Sequence, residues 1–318
     1  YLRVTVNGHE VSKTAPGQIK SLNIRGSIDD DILIADFKSG EPLAGLELMF
    51  DGGGRGHDVL SLSGGSFGDD VIHQSSAIEA NRIDIISRDS ITKISYRGID
   101  AVDDQLAAAN RTFRLDAGGQ LIHLNDAGSP NDGLSRITLD GDVSNKDNPT
   151  DSGRVLDVTF KTPVNSLSIK TQQDANQADA VNPDLIEVLG LDRTFNANLR
   201  IIGSADDTLI IRGPTDVGHG NIEFVTGSIK IESSLTTNGA KSIFTAQNEV
   251  FIGEEGAINN ASGSLLIEAS KIEHYGLVLA NGGQVHLDSG DHGSTLIYGV
   301  IDVFQPMASR PAGTVHVL

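Results

Sequence analysis

Cysteine is absent from the chain, so neither disulfide bridges nor thiol chemistry is open to it, although this does not fix a compartment. Tryptophan is absent too, and 4 Tyr and 10 Phe in 318 residues leave little aromatic surface for stacking against sugar rings. Apolar residues come in short runs, none near the ~18 residues of a membrane helix. No charged start followed by an apolar segment, and no lipidation site, is present at Tyr1. Tyr1 is therefore expected not to be a natural start, and the stop at Val317 and Leu318, inside an apolar strand, reads as a cut through something longer. Basic residues are few, 24 Lys and Arg against 43 Asp and Glu, and the net charge of -19 excludes nucleic acid and anionic membrane surfaces as partners. Helix signal is nearly missing: only Asp103 to Asn110 has helical composition, which we assign to a short turn on a loop.

What the chain does have is a period. Apolar segments begin near Ile222, Ile243, Leu265, Val285 and Val315, the first four at intervals of 21, 22 and 20 residues. A second set follows in phase (Ser228–Ile231, Glu249–Ile252, Lys271–Glu273, Thr295–Tyr298), then a third through Leu235, Ile258, Val278 and Ile301. Three short faces per repeat predict an all-β fold, a right-handed parallel β-helix with coils of about 20–24 residues and loop insertions. Asn238-Gly239, Asn260-Ala261 and Asn281-Gly282 would close the third face, with the asparagines able to form a ladder along the axis.

Residues 216–318 form this regular part, and 1–215 a less regular, Gly- and Asp-rich part continuous with it. In the latter a paired unit recurs: an apolar strand, an Asp-bearing turn and a second apolar strand. Copies are Ser21–Ile24, Asp29–Asp31, Ile32–Ile34; Gly45–Phe50, Asp58, Val59–Leu62; Ser166–Ile169, Asp184, Leu185–Val188; and Asn198–Ile202, Asp206–Asp207, Thr208–Ile211. Alternation points Leu22, Ile24, Ile32 and Ile34 inward, and likewise Leu199, Ile201, Leu209 and Ile211. Further strands are expected at 82–86, 91–96, 111–116, 120–125, 136–140 and 155–160, and long polar insertions at 97–110 and 126–153.

Gly53, Gly54, Gly56 and Asp58 match the calcium nonapeptide G-G-x-G-x-D-x-U-x, and an imperfect copy runs through Gly64, Gly65, Gly68, Asp69 and Asp70. Asp58, Asp69 and Asp70 are thus the candidate calcium ligands; the competing reading is a glycine-rich turn capped by Asp. Asp206, Asp207 and Gly218-His219-Gly220 superficially resemble the site of β-helical pectin hydrolases. The 12 residues between Asp207 and His219 are about half a coil, which puts them on different faces. His274, His286, His292 and His316 offer no clear ligand set for zinc or nickel. No Gly-x-Ser-x-Gly, phosphate loop or His-Glu-x-x-His occurs, and no catalytic constellation is expected.

The stretches Gly263–Ser270, Lys271–Gly283 and Ala312–Leu318 resemble the filamentous-haemagglutinin type of bacterial exoprotein, and Leu46–Gly65 is similar to a module of very large bacterial surface proteins carrying such coils. The resemblance implies a secreted or cell-surface stalk, adhesin or fibre component without catalytic activity. Its partners would be further copies, end to end or lateral, or a host or neighbouring cell surface. The same fold leaves a β-helical carbohydrate-active enzyme or carbohydrate-binding module as the alternative. Between Asp302 and Gly313 the chain departs from the short corner of that family, which suggests a protruding loop in which Phe304, Pro306 and Met307 are the candidate contact residues.

Overall fold

The computed structural model describes residues 2–15, 18–41, 43–54, 56–75, 80–115, 118–140, 156–171, 183–261, 263–303 and 313–318. These form an all-β structure with no helix among them. The chain opens on a hairpin, β1 (Leu2–Val6) and β2 (His9–Thr14), whose Asn7-Gly8 turn has both residues at positive φ, as a two-residue hairpin turn requires. Next come β3 (Ser21–Arg25), β4 (Ile32–Asp36), β5 (Glu47–Asp51) and β6 (Val59–Ser63), with β5 laid parallel on β3 and β6 on β4. The chain then doubles back through β7 (Ser66–Ser75), β8 (Asn81–Ile86) and β9 (Ile91–Arg97), an antiparallel meander that returns β9 parallel to β5. Strands β10 (Ala101–Asp104) and β11 (Ala107–Leu115) continue on β6 and β7. A second meander, β12 (Leu121–Asp126), β13 (Leu134–Asp140) and β14 (Leu156–Lys161), delivers β14 parallel to β10.

From there pairing is wholly parallel. β15 (Ser166–Lys170) and β16 (Leu185–Val188) sit on β11 and β12; β17 (Asn198–Ile202) and β18 (Thr208–Ile211) sit on β15 and β16. After β19 (Thr215–Asp216) come β20 (Ile222–Ile231), β21 (Ser234–Thr237), β22 (Lys241–Ile252), β23 (Ala257–Asn260), β24 (Ser264–His274) and β25 (Leu277–Leu279). The last are β26 (Gln284–Asp288), β27 (Ser294–Ile297), β28 (Val300–Asp302) and β29 (Thr314–Val317). Twenty-two strands form one mixed sheet; β19, β21, β23, β25 and β28 form a separate parallel one. Between the ladders lies one apolar interior built of columns such as Leu209, Ile229, Val250 and Ile272, all fully buried, which keeps inward positions β-branched or aliphatic.

Several expectations need correction. The pairing is not uniformly parallel, because the two meanders insert antiparallel strands. Residues 97–110 are not a polar insertion with a helical turn: β10 and the start of β11 occupy them, since the edges of β6 and β7 template a strand there and override local propensity. Ile32 and Ile34 point outward, at 66% and 62% exposure, because β4 registers Leu33 and Ala35 on the inward Leu60 and Leu62. Ile222 pairs with Ser242, not Ile243, and a one-residue slip exchanges the faces of a strand. Asn260 stacks on Thr237 rather than Asn238. A true asparagine ladder stands elsewhere: Asn198 Oδ1 accepts from Asn221 N (2.8 Å), and Asn221 Oδ1 from Lys241 N (2.9 Å). The third face holds its expected register, Leu235 on Ile258 on Val278 on Ile301.

Close packing of layers is visible at the corners, where a glycine column runs through Gly220, Gly239, Gly263, Gly283 and Gly313. A Cβ on Gly283 would lie 2.0 Å from the Gly263 carbonyl oxygen, so no side chain fits between these layers.

Candidate functional site

Asp58 immediately precedes β6 and is fully buried. Its Oδ1 accepts the Asp31 N–H at 2.9 Å, while its own N–H donates to Asp100 Oδ2 at 2.8 Å. Asp31 and Asp100 precede β4 and β10, so the three occupy equivalent places in adjacent layers; Asp58 and Asp100 each close the strand entry of the layer before, while Asp31 Oδ2 accepts from Ser27 in its own turn. The device recurs at the entries to β12, β16 and β18: Gln120 N donates to Asp184 Oδ1 (2.7 Å) and Asp184 N to Asp207 Oδ1 (2.9 Å). Asp69 and Asp70 lie within β7 rather than in a turn, Asp70 opposite Asn110. Asp69 lines an open cleft of about 590 Å³ with Glu41, Ser87, Arg88, Asp89 and Ser90, in which Glu41 accepts from both serine hydroxyls. The carboxylates of Asp58, Asp69 and Asp70 do not converge on a common point. Phe304, Pro306 and Met307 lie outside the described residues.

Among the described residues one trio of carboxylates does converge: oxygens of Asp126, Asp132 and Asp192 lie within 4.8 Å of one another. Asp126 ends β12, Asp132 lies in the turn to β13, and Asp192 follows β16, so no local motif joins them. Asp192 is fully buried; despite that burial, bonds from the Thr194 hydroxyl and N–H and from Asn131 N (2.7 Å) hold its carboxyl below the usual range. Asp126 is pushed up, first by burial and then by the charges of Asp192 and Asp132. Three hard oxygen donors with one disfavoured charge can take a hard cation such as calcium. In chelator, Asp126→Asn is expected to raise the melting temperature by about 2 °C, because it removes a charge the fold disfavours. If a cation binds here, millimolar calcium will stabilise the parent chain and not the variant; equal responses in a thermal melt would discount the trio.

The core holds a second polar group. Asp104 and Arg111 are fully buried and form a two-armed ion pair, to which His73 Nε2 adds a 2.9 Å contact with Asp104 Oδ2. Arg111 also donates to the carbonyls of Leu106 (2.6 Å) and Lys161 (2.9 Å), and its guanidinium lies 5.4 Å from the Phe160 ring centroid. Burial by itself would raise Asp104, but the Arg111 charge and the His73 bond hold it at about 2. Burial lowers His73, whose ring stacks on Phe113 at 4.8 Å. Such a group, walled in by Phe113 and Phe160, can orient strands but cannot meet a substrate.

On the outer surface Phe251, Tyr275 and Tyr298 form an aromatic column, the two tyrosines stacked face to face at 5.0 Å and 11°. Alongside it Lys271 bridges Glu249 and Glu273, whose hydrogen bonds raise its ammonium. The His286 and His316 rings lie 6.0 Å apart and tilted in adjacent layers, His274 is buried, and His292 is exposed, so the four do not gather. Asp207 and His219 are likewise apart in role: Asp207 is a buried ladder member, and His219 is exposed, its N–H bonded to Asn196 Oδ1. No family model matches the chain, and neither does any curated protein or solved structure.

Proposed function

We propose that the chain is a segment of a parallel β-helix acting as a non-catalytic stalk, fibre or adhesive element of a secreted or cell-surface bacterial protein. The observation that carries this reading is the use of ionisable side chains between layers: Asp58, Asp100, Asp184 and Asp207 close strand entries of neighbouring layers, and Asp104 and Arg111 hold the core. Groups committed in this way make a stiff stack, whose stability is a sum over neighbouring layers. The handedness of the coil and the bacterial surface location rest on the resemblance set out above. Association with further copies, end to end or lateral, rests on the same resemblance.

The alternative, a carbohydrate-active module, is favoured by the register of Phe251, Tyr275 and Tyr298. Against it, the three rings pack on one another, so only Tyr298, at 68% exposure, keeps an open face for a sugar. The ladders stack about ten layers deep, or about 45 Å at ~4.8 Å per layer, and the meanders use chain without adding a layer. Small-angle scattering is expected to return a rod of that length. Incubation with a panel of polysaccharides is expected to release no reducing ends; turnover of any of them would overturn the non-catalytic reading.

A further inference from the structure

We propose that the stacked carboxylates of Asp184 and Asp207 form a proton-binding seam, so that the junction of β12, β16 and β18 tightens on mild acidification. Both side chains are nearly fully buried, at 4% and 2% exposure. They stand in adjacent layers, linked by the 2.9 Å bond from Asp184 N to Asp207 Oδ1. What faces them is neutral: the N–H groups of Gly119 and Gln120 from the entry to β12, the Thr171 hydroxyl (2.6 Å) after β15, and the Ser204 N–H (2.7 Å) from the turn before β18. No Lys, Arg or His among the described residues hydrogen-bonds either carboxylate. In the next layer the position is glycine, Gly227, so the column ends without a cation there.

Two like charges in a dry seam cannot both be held cheaply, and a proton is the smallest ligand that removes one. Burial, reinforced by the Asp207 charge, raises Asp184 to about 7 against two opposing backbone bonds. A group raised in the folded state contributes stability that is complete below its unfolded value and lost as pH rises through the folded one, here between about 4 and 7. Three units correspond to a change of up to about a thousandfold in the folding equilibrium constant. His73 and His274 act in the opposite sense, since burial lowers both, so their contribution grows as pH rises toward the ordinary imidazole value and is complete above it. The parent profile is therefore a sum, and the difference from a variant isolates the seam.

The test is denaturant unfolding of the chain and of Asp184→Asn from about pH 3.5 to pH 8, with carboxyl ¹³C NMR titration of the parent. Asp184→Asn is expected to match the parent below about pH 4, to exceed it increasingly as pH rises to about 7, and to keep that lead at pH 8. In the parent, one buried carboxyl is expected to titrate near neutrality. Parallel profiles, or a parent in which every aspartate titrates in the ordinary range, would overturn the proposal; the titration decides it even if the variant does not fold.

Discussion

Replacing Asp104 by alanine is expected to destabilise the fold by about 3–5 kcal/mol, the cost of leaving a buried charge without its counter-ion. Arg111 would keep its two carbonyl acceptors and the Phe160 ring, but nothing would neutralise it in an interior where it is fully enclosed. Rearrangement cannot bring water in, because Arg111 stands in a column between Val71 and Leu167. Removing both members, as in Asp104→Leu with Arg111→Met, is expected to recover most of the loss, since a matched apolar pair has no desolvation penalty to offset. Urea unfolding of the single and double variants measures this directly. A loss below about 1 kcal/mol for Asp104→Ala would mean that the pair is not an organising feature of the core. Because Asp104 is held at about 2, its contribution is complete above about pH 4 and is lost as pH falls through 2.

The second large effect is expected at Gly283. A methyl group there would meet the Gly263 carbonyl oxygen at 2.0 Å, and the obstacle is backbone belonging to the adjacent layer, not a flexible side chain. Two layers must separate to admit it, so Gly283→Ala is expected to cost about 3 kcal/mol or more. Gly54→Ala is the control: nothing lies within 4 Å of its added Cβ and its φ is not positive, so the change should stay within about 0.5 kcal/mol. Thermal melts of the two variants side by side would expose an error in the layer spacing, because similar values would mean that the corner is looser than described.

Much of this architecture can be read from residue order, and the failures are instructive. The third face is legible because Leu235, Ile258, Val278 and Ile301 recur once per repeat between turns, although Leu277, Leu279 and Val300 sit beside them. Phase is lost at Ser242-Ile243 because the inward position is taken by a serine with an isoleucine beside it. It is lost again at Ile32–Ala35, where four apolar residues in a row carry no alternation. The aspartate turns were visible as Asp31, Asp58, Asp184 and Asp207, but that their carboxylates serve the neighbouring layer depends on which strands stack, information no local window contains. Arg111 did leave a trace: it shares a face with Phe113 and Leu115, and a charge in an inward row signals a buried partner. That partner, Asp104, sits in a stretch whose alanines read as helix until β6 and β7 are present to pair with it. The trio Asp126, Asp132 and Asp192 is assembled from separate turns and left no signal of its own.

The stacking of one layer on the next has a mechanical consequence. Tension drawn along the stack loads the hydrogen bonds between layers one row at a time, since β22, β24, β26 and β29 are joined in series. On the β-helix reading proposed above, the 216–318 end is expected to peel turn by turn, each released turn of roughly twenty residues lengthening the tether by about 70 Å. The meanders interrupt that sequence. At β7–β9 and β12–β14 antiparallel pairs tie one layer to the next beside the parallel ladder, so these two places would act as brakes on extension under load.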